Sequence, residues 1–263
     1  MDDVLLWTLA SSLAYMFLVW LLSLLAGRVC VIDAFWGPGF SVLSGASVAL
    51  RSVPGLSFEQ NCLLALVLIW GLRLGLHLGL RIASDPHEDR RYAAMRDNYS
   101  PNFHLKSLGI VFLLQGAILW LIAMPVTLGV AANGGRGEPL LLICGGLLWG
   151  LGLAFETFGD WQLARFRADP KNSNRVLDSG LWGWTRHPNY FGDFCVWWGL
   201  WLVSVAAGAP LWTILSPAAM AFFLLKVSGV TLLEKDIGER RPGYAEYMQR
   251  TSTFFPWPPG RRG

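Results

Sequence analysis

Apolar residues arrive in seven long runs separated by short polar breaks, at about 4–26, 30–50, 61–82, 107–130, 139–164, 190–207 and 210–234. A helix needs roughly 20 predominantly apolar residues to cross a bilayer, and these runs are of that length. Backbone polar groups in lipid must be satisfied within the segment, so each run is expected as a helix. The pattern predicts an all-α, polytopic membrane protein: a seven-transmembrane-helix bundle. The runs use nearly the whole chain, so residues 1–263 are read as a single membrane-embedded domain. Within it, the break after residue 130 separates 1–130 from 139–257.

The polar breaks differ in sign. Arg28 follows the first run, Arg81, Arg90, Arg91, Arg96 and Lys106 follow the third, and Arg165, Arg167, Lys171, Arg175 and Arg186 follow the fifth. Lys235, Arg240, Arg241, Arg250, Arg261 and Arg262 follow the seventh, whereas the alternate breaks hold only Arg51 and Arg136. Basic loops stay in the cytoplasm, which predicts an outside N-terminus and a cytoplasmic C-terminus. That parity requires an odd number of crossings. The first run opens on Met-Asp-Asp, which is acidic where a secretory signal is basic, so it is read as a span and not as a cleaved leader. A bacterial inner membrane is the expected location, and a monomer the expected state.

Composition sharpens this picture in three places. Hydrophobic residues make up 54% and charged residues 15% of the chain, which is far from the balance of a soluble domain. The net charge of +3 is no nucleic-acid footprint; it reflects loops that face anionic headgroups. Cys30, Cys62, Cys144 and Cys195 are scattered through apolar runs, so small buried hydrophobes are expected and neither a disulfide framework nor a metal site. Several of the 14 tryptophans, such as Trp182, Trp184 and Trp201, fall near expected membrane boundaries and read as an aromatic belt.

Candidate chemistry lies where polar residues invade the runs. Glu156 and Asp160 are four apart and share a helix face, with Arg167 returning to nearly the same face. Asn189 and Asp193 repeat the spacing, and Lys226 and Glu234, eight apart, do so again. Charges at membrane depth are costly and mark ligand or ion paths, so three such stripes predict a hydrated cavity open to the cytosol. Arg167, Lys171, Arg175 and Arg186 would offer donors to phosphates, and Asp160, Asp193 and Glu234 acceptors for ribose hydroxyls. That mixture suits a nucleotide cofactor. No Gly-x-Gly-x-x-Gly follows a strand, so the site is not Rossmann-like. The 84–104 loop crowds Asp85, Glu88, Asp89, Arg90, Arg91, Tyr92 and Arg96, and reads either as a solvated loop of ion pairs or as a lid.

The segment from Asn174-Arg175 through Arg186-His187-Pro188-Asn189-Tyr190-Phe191-Gly192-Asp193, followed by Glu234 and Arg241-Pro242-Gly243-Tyr244, resembles the C-terminal half of the steroid 5α-reductase-like membrane family. It is similar also to that family's relatives, the sterol C14 reductases and isoprenylcysteine carboxyl methyltransferases. The resemblance covers about 150–257, and reaches the N-terminal half more loosely through Asp33 and Trp36-Gly37. It implies a seven-helix bundle holding NADPH, with cofactor contacts at Asp160, Arg167, Arg175, Asn189 and Asp193, and further ones at Glu156, Lys226 and Glu234. His187 and Tyr190 belong to the same motif and are expected near the diphosphate or nicotinamide. Alternatively, His187 packs at the start of the helix before Pro188, satisfied by a backbone carbonyl.

The resemblance also implies reduction of the C=C of a steroid-like 3-oxo-Δ4 or other apolar enone, with NADP(H), membrane lipids and an apolar substrate as partners. Such chemistry needs an acid at the substrate carbonyl, and Asp33, early in the second run, is the leading candidate. Where steroid 5α-reductases carry a Gln-Glu pair and a Tyr on the next helix, this chain reads Ile32-Asp33, and Trp70–Arg73 contains no Tyr. Tyr92 or Arg73 stands in as the partner; the alternative for Asp33 is an ion pair with Arg73. The rival reading is an S-adenosylmethionine-dependent methyltransferase of the isoprenylcysteine type, in which no diphosphate clamp is needed. A non-catalytic lipid binder is the third reading.

Overall fold

Asp2–Ala26 (α1) opens the chain as a 25-residue helix. A computed structural model describes residues 2–227, 234 and 243–258. Val31–Ala49 (α2), Phe58–Ser84 (α3), Arg90–Asn98 (α4) and Phe103–Ser107 (α5) follow, and a π-helical turn over Leu108–Leu113 joins α5 to Leu114–Ala131 (α6). Pro139–Ala168 (α7), Leu181–Trp184 (α8), Pro188–Ala206 (α9), Leu215–Phe222 (α10) and Tyr244–Arg250 (α11) complete the helices. Among the described residues no strand forms, and a lone bridge links Thr185 to Ser252.

Among the described residues, four helices are long and apolar enough to cross a membrane: Asp2–Ala26, Phe58–Ser84, Phe103–Ala131 and Pro139–Ala168. The seven runs of the sequence each contain a helix, but four of them, not seven, meet that requirement. The reason is local. Helices α2 and α9, at 19 residues each, are long enough but not apolar enough: α2 carries Asp33, Pro38, Ser41, Ser44 and Ser47, and α9 opens on Pro188-Asn189 and includes Asp193. Leu211–Val227 is a shorter apolar helix, and the expected seventh run beyond Val227 lies outside the described residues except for Glu234.

The chain divides into two compact units, 1–142 with 203–216 and 143–202 with 217–263. In the first, Met16, Phe40, Leu43, Trp70, Phe112 and Leu119 form the core. Helices α2 and α3 approach backbone to backbone: a Cβ on Gly37 would lie 2.7 Å from the Gly71 carbonyl oxygen, and one on Gly71 2.6 Å from that of Gly37. Small residues at a crossing are how membrane helices gain contact without a hydrophobic driving force. Ser57 and Gln60 form a capping box at the start of α3. The Gln60 amide donates to the carbonyls of Gly129, Val130 and Ala132, and Arg51 donates to Val130 and Ala132, which satisfies the orphan carbonyls ending α6.

The second unit repeats the close approach. A Cβ on Gly192 would lie 2.6 Å from the Gly152 carbonyl oxygen, and one on Gly152 2.6 Å from the Val196 amide nitrogen. That crossing brings the polar end of α7 against the first turns of α9. Trp197, Leu200 and Tyr247 are fully buried in this unit. Of the cysteines, Cys30 and Cys195 are buried, but Cys144 is exposed on α7, where an apolar helix face needs no partner in a lipid setting.

Candidate functional site

In the second unit Glu156 and Asp160 are buried on one face of α7, at 3% and 7% exposure. The Asn189 side-chain amide, in the first turn of α9, donates to Asp160 Oδ1 at 3.2 Å. Its own carbonyl oxygen accepts from the Tyr190 amide at 3.1 Å, which fixes the orientation of the group. The two stripes found by helical spacing therefore meet. Asp193 and Tyr190 are half-buried on α9; Arg167 and Arg175 are exposed at the polar end of α7 and just beyond it; Lys226 is exposed on a terminal π-helical turn. Glu156, Asp160, Arg167, Arg175, Asn189, Tyr190 and Asp193 thus all lie on α7, α9 or the segment between them.

Arg186 behaves differently from the sequence expectation. Nε and Nη2 donate to Glu234 Oε1 and Oε2 at 2.7 and 3.0 Å, Nη1 to the carbonyls of Met248 and Thr251 at 2.9 Å each, and Nη2 also to Thr253 Oγ1 at 2.8 Å. A guanidinium has five N–H groups, and all five are used here. Each N–H thus has an acceptor within the protein, where the sequence reading expected a phosphate. Arg186 is 7% exposed and ties residues 243–258 to the loop before α9. Its backbone amide donates to the Ser252 carbonyl, the Trp257 amide to the Trp184 carbonyl, and Arg250 pairs with Asp178.

His187 shares the same anchor. Its Nε2 lies 2.9 Å from Glu234 Oε1, so a carboxylate, and not the expected backbone carbonyl, satisfies it. The ring stacks on Tyr190, with centroids 5.6 Å apart and planes within 6°. Phe254 is buried edge-on against Phe191 and Phe194, whereas Phe255 and Trp257 remain exposed. Burial pushes the Tyr244 phenol, on α11, up to about 12.

In the first unit Asp33, Tyr92 and two arginines converge. The Tyr92 hydroxyl donates to Asp33 Oδ1 at 2.8 Å, Arg91 Nη2 donates to Oδ2 at 2.8 Å, and Arg81 stands 3.9 Å from Oδ2. Both oxygens of Asp33 thus accept hydrogen bonds, one from Tyr92 and one from Arg91. The expected ion pair with Arg73 is formed with Arg91 and Arg81 instead; Arg73 is half-buried further along α3. Burial, then the Asp33 carboxylate, hold the Tyr92 phenol well above its ordinary range.

The 84–104 segment is neither bare loop nor simple ion-pair cluster. It contains α4, capped by the Asp89 side chain accepting from the Arg91 amide. Arg28 donates to the carbonyls of Ile82, Asp85 and His87, and Glu88 accepts from the amides of Val29 and Cys30 at 2.8 and 2.9 Å. Burial opposes the Glu88 charge, but the Val29 amide and its other donors hold the carboxyl below its ordinary range. Sequence reasoning missed Arg28 and Glu88 because nothing in their spacing links them; the only signal was the crowding of charge.

The chain belongs to the family described as protein of unknown function DUF1295, whose model matches residues 19–251. It is similar to the Delta(14)-sterol reductase erg24 of Schizosaccharomyces pombe, with 27% identity over 140 residues, 48% of this chain and 28% of that protein. The chain therefore spans less than a third of the length of that relative. No solved structure matches the chain.

Proposed function

We propose that this member of the family is an integral-membrane, NADPH-dependent ene-reductase acting on the C=C of a steroid-like 3-oxo-Δ4 or other apolar enone. The observation that carries the reading is the meeting of Asn189 with buried Asp160, one turn from buried Glu156. Buried carboxylates are expensive in a membrane helix and are retained for a polar ligand. The similarity to a sterol reductase supports the same choice of chemistry. In this reading the chain crosses the membrane seven times as one functional domain, with the N-terminus outside and the C-terminus cytoplasmic. It resides as a monomer in a bacterial inner membrane, and the substrate arrives from the lipid.

The donor set fits the cofactor. Glu156 and Asp160 would accept from ribose hydroxyls, and Asn189 would fix their orientation. Exposed Arg167 and Arg175 would meet the phosphates, while Arg186 holds the 243–258 segment. NADPH, when bound, supplies the hydride that the β-carbon of the enone accepts. The acid for the resulting enolate is proposed among Asp33, Tyr92 and Arg73.

A second reading is favoured by one observation. Arg186, one of the donors expected at a diphosphate, is engaged within the protein, and S-adenosylmethionine has no diphosphate to hold. The discriminating experiment is the thermal shift of detergent-purified protein with NADPH, NADH and S-adenosylmethionine in parallel. A ligand that binds only the folded state at a hundredfold excess over Kd stabilises it by about 2.7 kcal/mol. A shift with NADPH alone is expected; a shift with S-adenosylmethionine alone replaces the reductase by a methyltransferase.

A further inference from the structure

Asp33 and Tyr92 are 59 residues apart, on helices with separate starts, and their hydrogen bond requires those starts to keep a set spacing. Helix α4 has nine residues, too few to be stable alone in water, so its position depends on what anchors it. The anchor is Glu88. Its Oε2 accepts from the Val29 amide and its Oε1 from the Cys30 amide, both at the start of α2, while its own backbone lies just ahead of the Asp89 cap of α4. Asp33 lies four residues beyond Val29, and Tyr92 four residues beyond Glu88. Each partner of the pair therefore sits one helical turn past one end of the same carboxylate bridge.

Other contacts make the bridge rigid. Arg96 Nη2 donates to Glu88 Oε2 at 3.3 Å, and the Glu88 side chain is only 15% exposed. Arg28, preceding Val29, donates to three carbonyls of the 82–87 segment and closes the same junction from the other side. A loop glutamate serving only solubility would not spend both oxygens on two backbone amides of another helix.

We infer that Glu88 is a positioning residue for the Tyr92–Asp33 pair, tying the first turn of α2 to the first turn of α4 so that the phenol is held against the carboxylate. Its bearing on catalysis rests on the reductase reading; its effect on the pair does not. A glutamine in its place has one acceptor oxygen where the carboxylate has two, so one amide loses its partner and the junction loosens. Tyr92 then drifts from Asp33. Burial, Asp33 from α2, and Arg91 and Asp89 from its own helix and cap set its titration, and Arg81 from α3 stands behind Asp33.

The test reads Tyr92 directly. Full-length protein labelled with carbon-13 at tyrosine Cζ is titrated by NMR, with the Tyr92 signal assigned by Tyr92→Phe. In Glu88→Gln, Tyr92 should titrate nearer the free phenol's value of about 10 than it does in the wild type. Glu88→Asp, which keeps the charge on a shorter arm, should shift it less in the same direction, and it carries the test if the glutamine variant lacks a cooperative melting transition. Turnover of progesterone with NADPH should fall roughly 10- to 100-fold in kcat with KM nearly constant, as expected for a misplaced group. The NADPH-induced thermal shift should be unchanged. An unaltered Tyr92 titration in both variants overturns the positioning role. A displaced titration in a protein whose wild type reduces no enone upholds the bridge and removes the reductase reading alone.

Discussion

Arg186 grips Glu234 side-on, Nε to Oε1 at 2.7 Å and Nη2 to Oε2 at 3.0 Å, with the guanidinium buried at the foot of α9. Only a planar fork can make both bonds and still reach two carbonyls and a hydroxyl.

Arg186→Lys keeps the charge but loses that fork. Breaking a buried, hydrogen-bonded pair costs roughly 3–5 kcal/mol when one partner is left exposed to the low dielectric, and the retained charge places the lysine variant near the lower end. A clear drop in Tm in detergent is expected, together with faster proteolysis between 243 and 258. A melting curve matching the wild type would show that the fork is dispensable.

Asp160→Asn retains the size of the side chain and removes its charge. NADPH affinity should weaken by an order of magnitude or more, as expected when a charged hydrogen-bond acceptor is lost. The melting temperature of the ligand-free protein should change little. Isothermal titration with NADPH decides it, and undiminished affinity would move the cofactor away from α7.

Gly71→Ala and Gly192→Ala each drive a Cβ to within 2.6 Å of a facing backbone atom, so the helices must separate. A loss of roughly 1–3 kcal/mol is expected from such overpacking. Gly45→Ala and Gly146→Ala, with nothing within 4 Å, serve as controls and should gain about 0.5–1 kcal/mol from helix propensity. Equal effects at all four positions would remove the close crossings from the account.

Stability should fall at both ends of the pH scale. Burial raises the Tyr92, Tyr244 and Tyr247 phenols, so the unfolded chain releases protons first. Their contribution is full below the free phenol's value of about 10 and is lost as pH rises beyond it. Glu88 is held low, so its contribution is present above the free glutamate value of about 4.3 and is lost as pH falls. Melting temperatures from pH 3 to 11 test both limbs; in Tyr92→Phe the alkaline decline should be shallower.

The helices were legible because apolar runs of membrane length permit little else. The expected run at 61–82 is a helix over Phe58–Ser84, and the run at 139–164 a helix over Pro139–Ala168. Four-residue spacing also placed Glu156 with Asp160 and predicted a second stripe at Asn189. Less was legible where hydropathy is low: α2 and α9 are helices, yet their Pro, Ser and Asp content keeps them out of the set long and apolar enough to cross a membrane. The loop reading of 84–104 hid α4, since its nine residues, five of them charged or amide, carry too short an apolar stretch to announce a helix.

The sequence by itself determined the helical elements and the residues that share a face, because both follow from local periodicity and the cost of bare backbone in lipid. Which polar groups meet was decided by the tertiary structure alone. Arg186 was grouped with the phosphate ligands by charge, but its five N–H groups find acceptors 48 to 67 positions away. For Asp33 the sequence offered Arg73 as the alternative to a catalytic role, but its carboxyl meets Arg91 and Tyr92 from a short helix after α3. Hydrogen bonds between distant segments depend on how helices cross and on which donors are already used, and no local spacing encodes either.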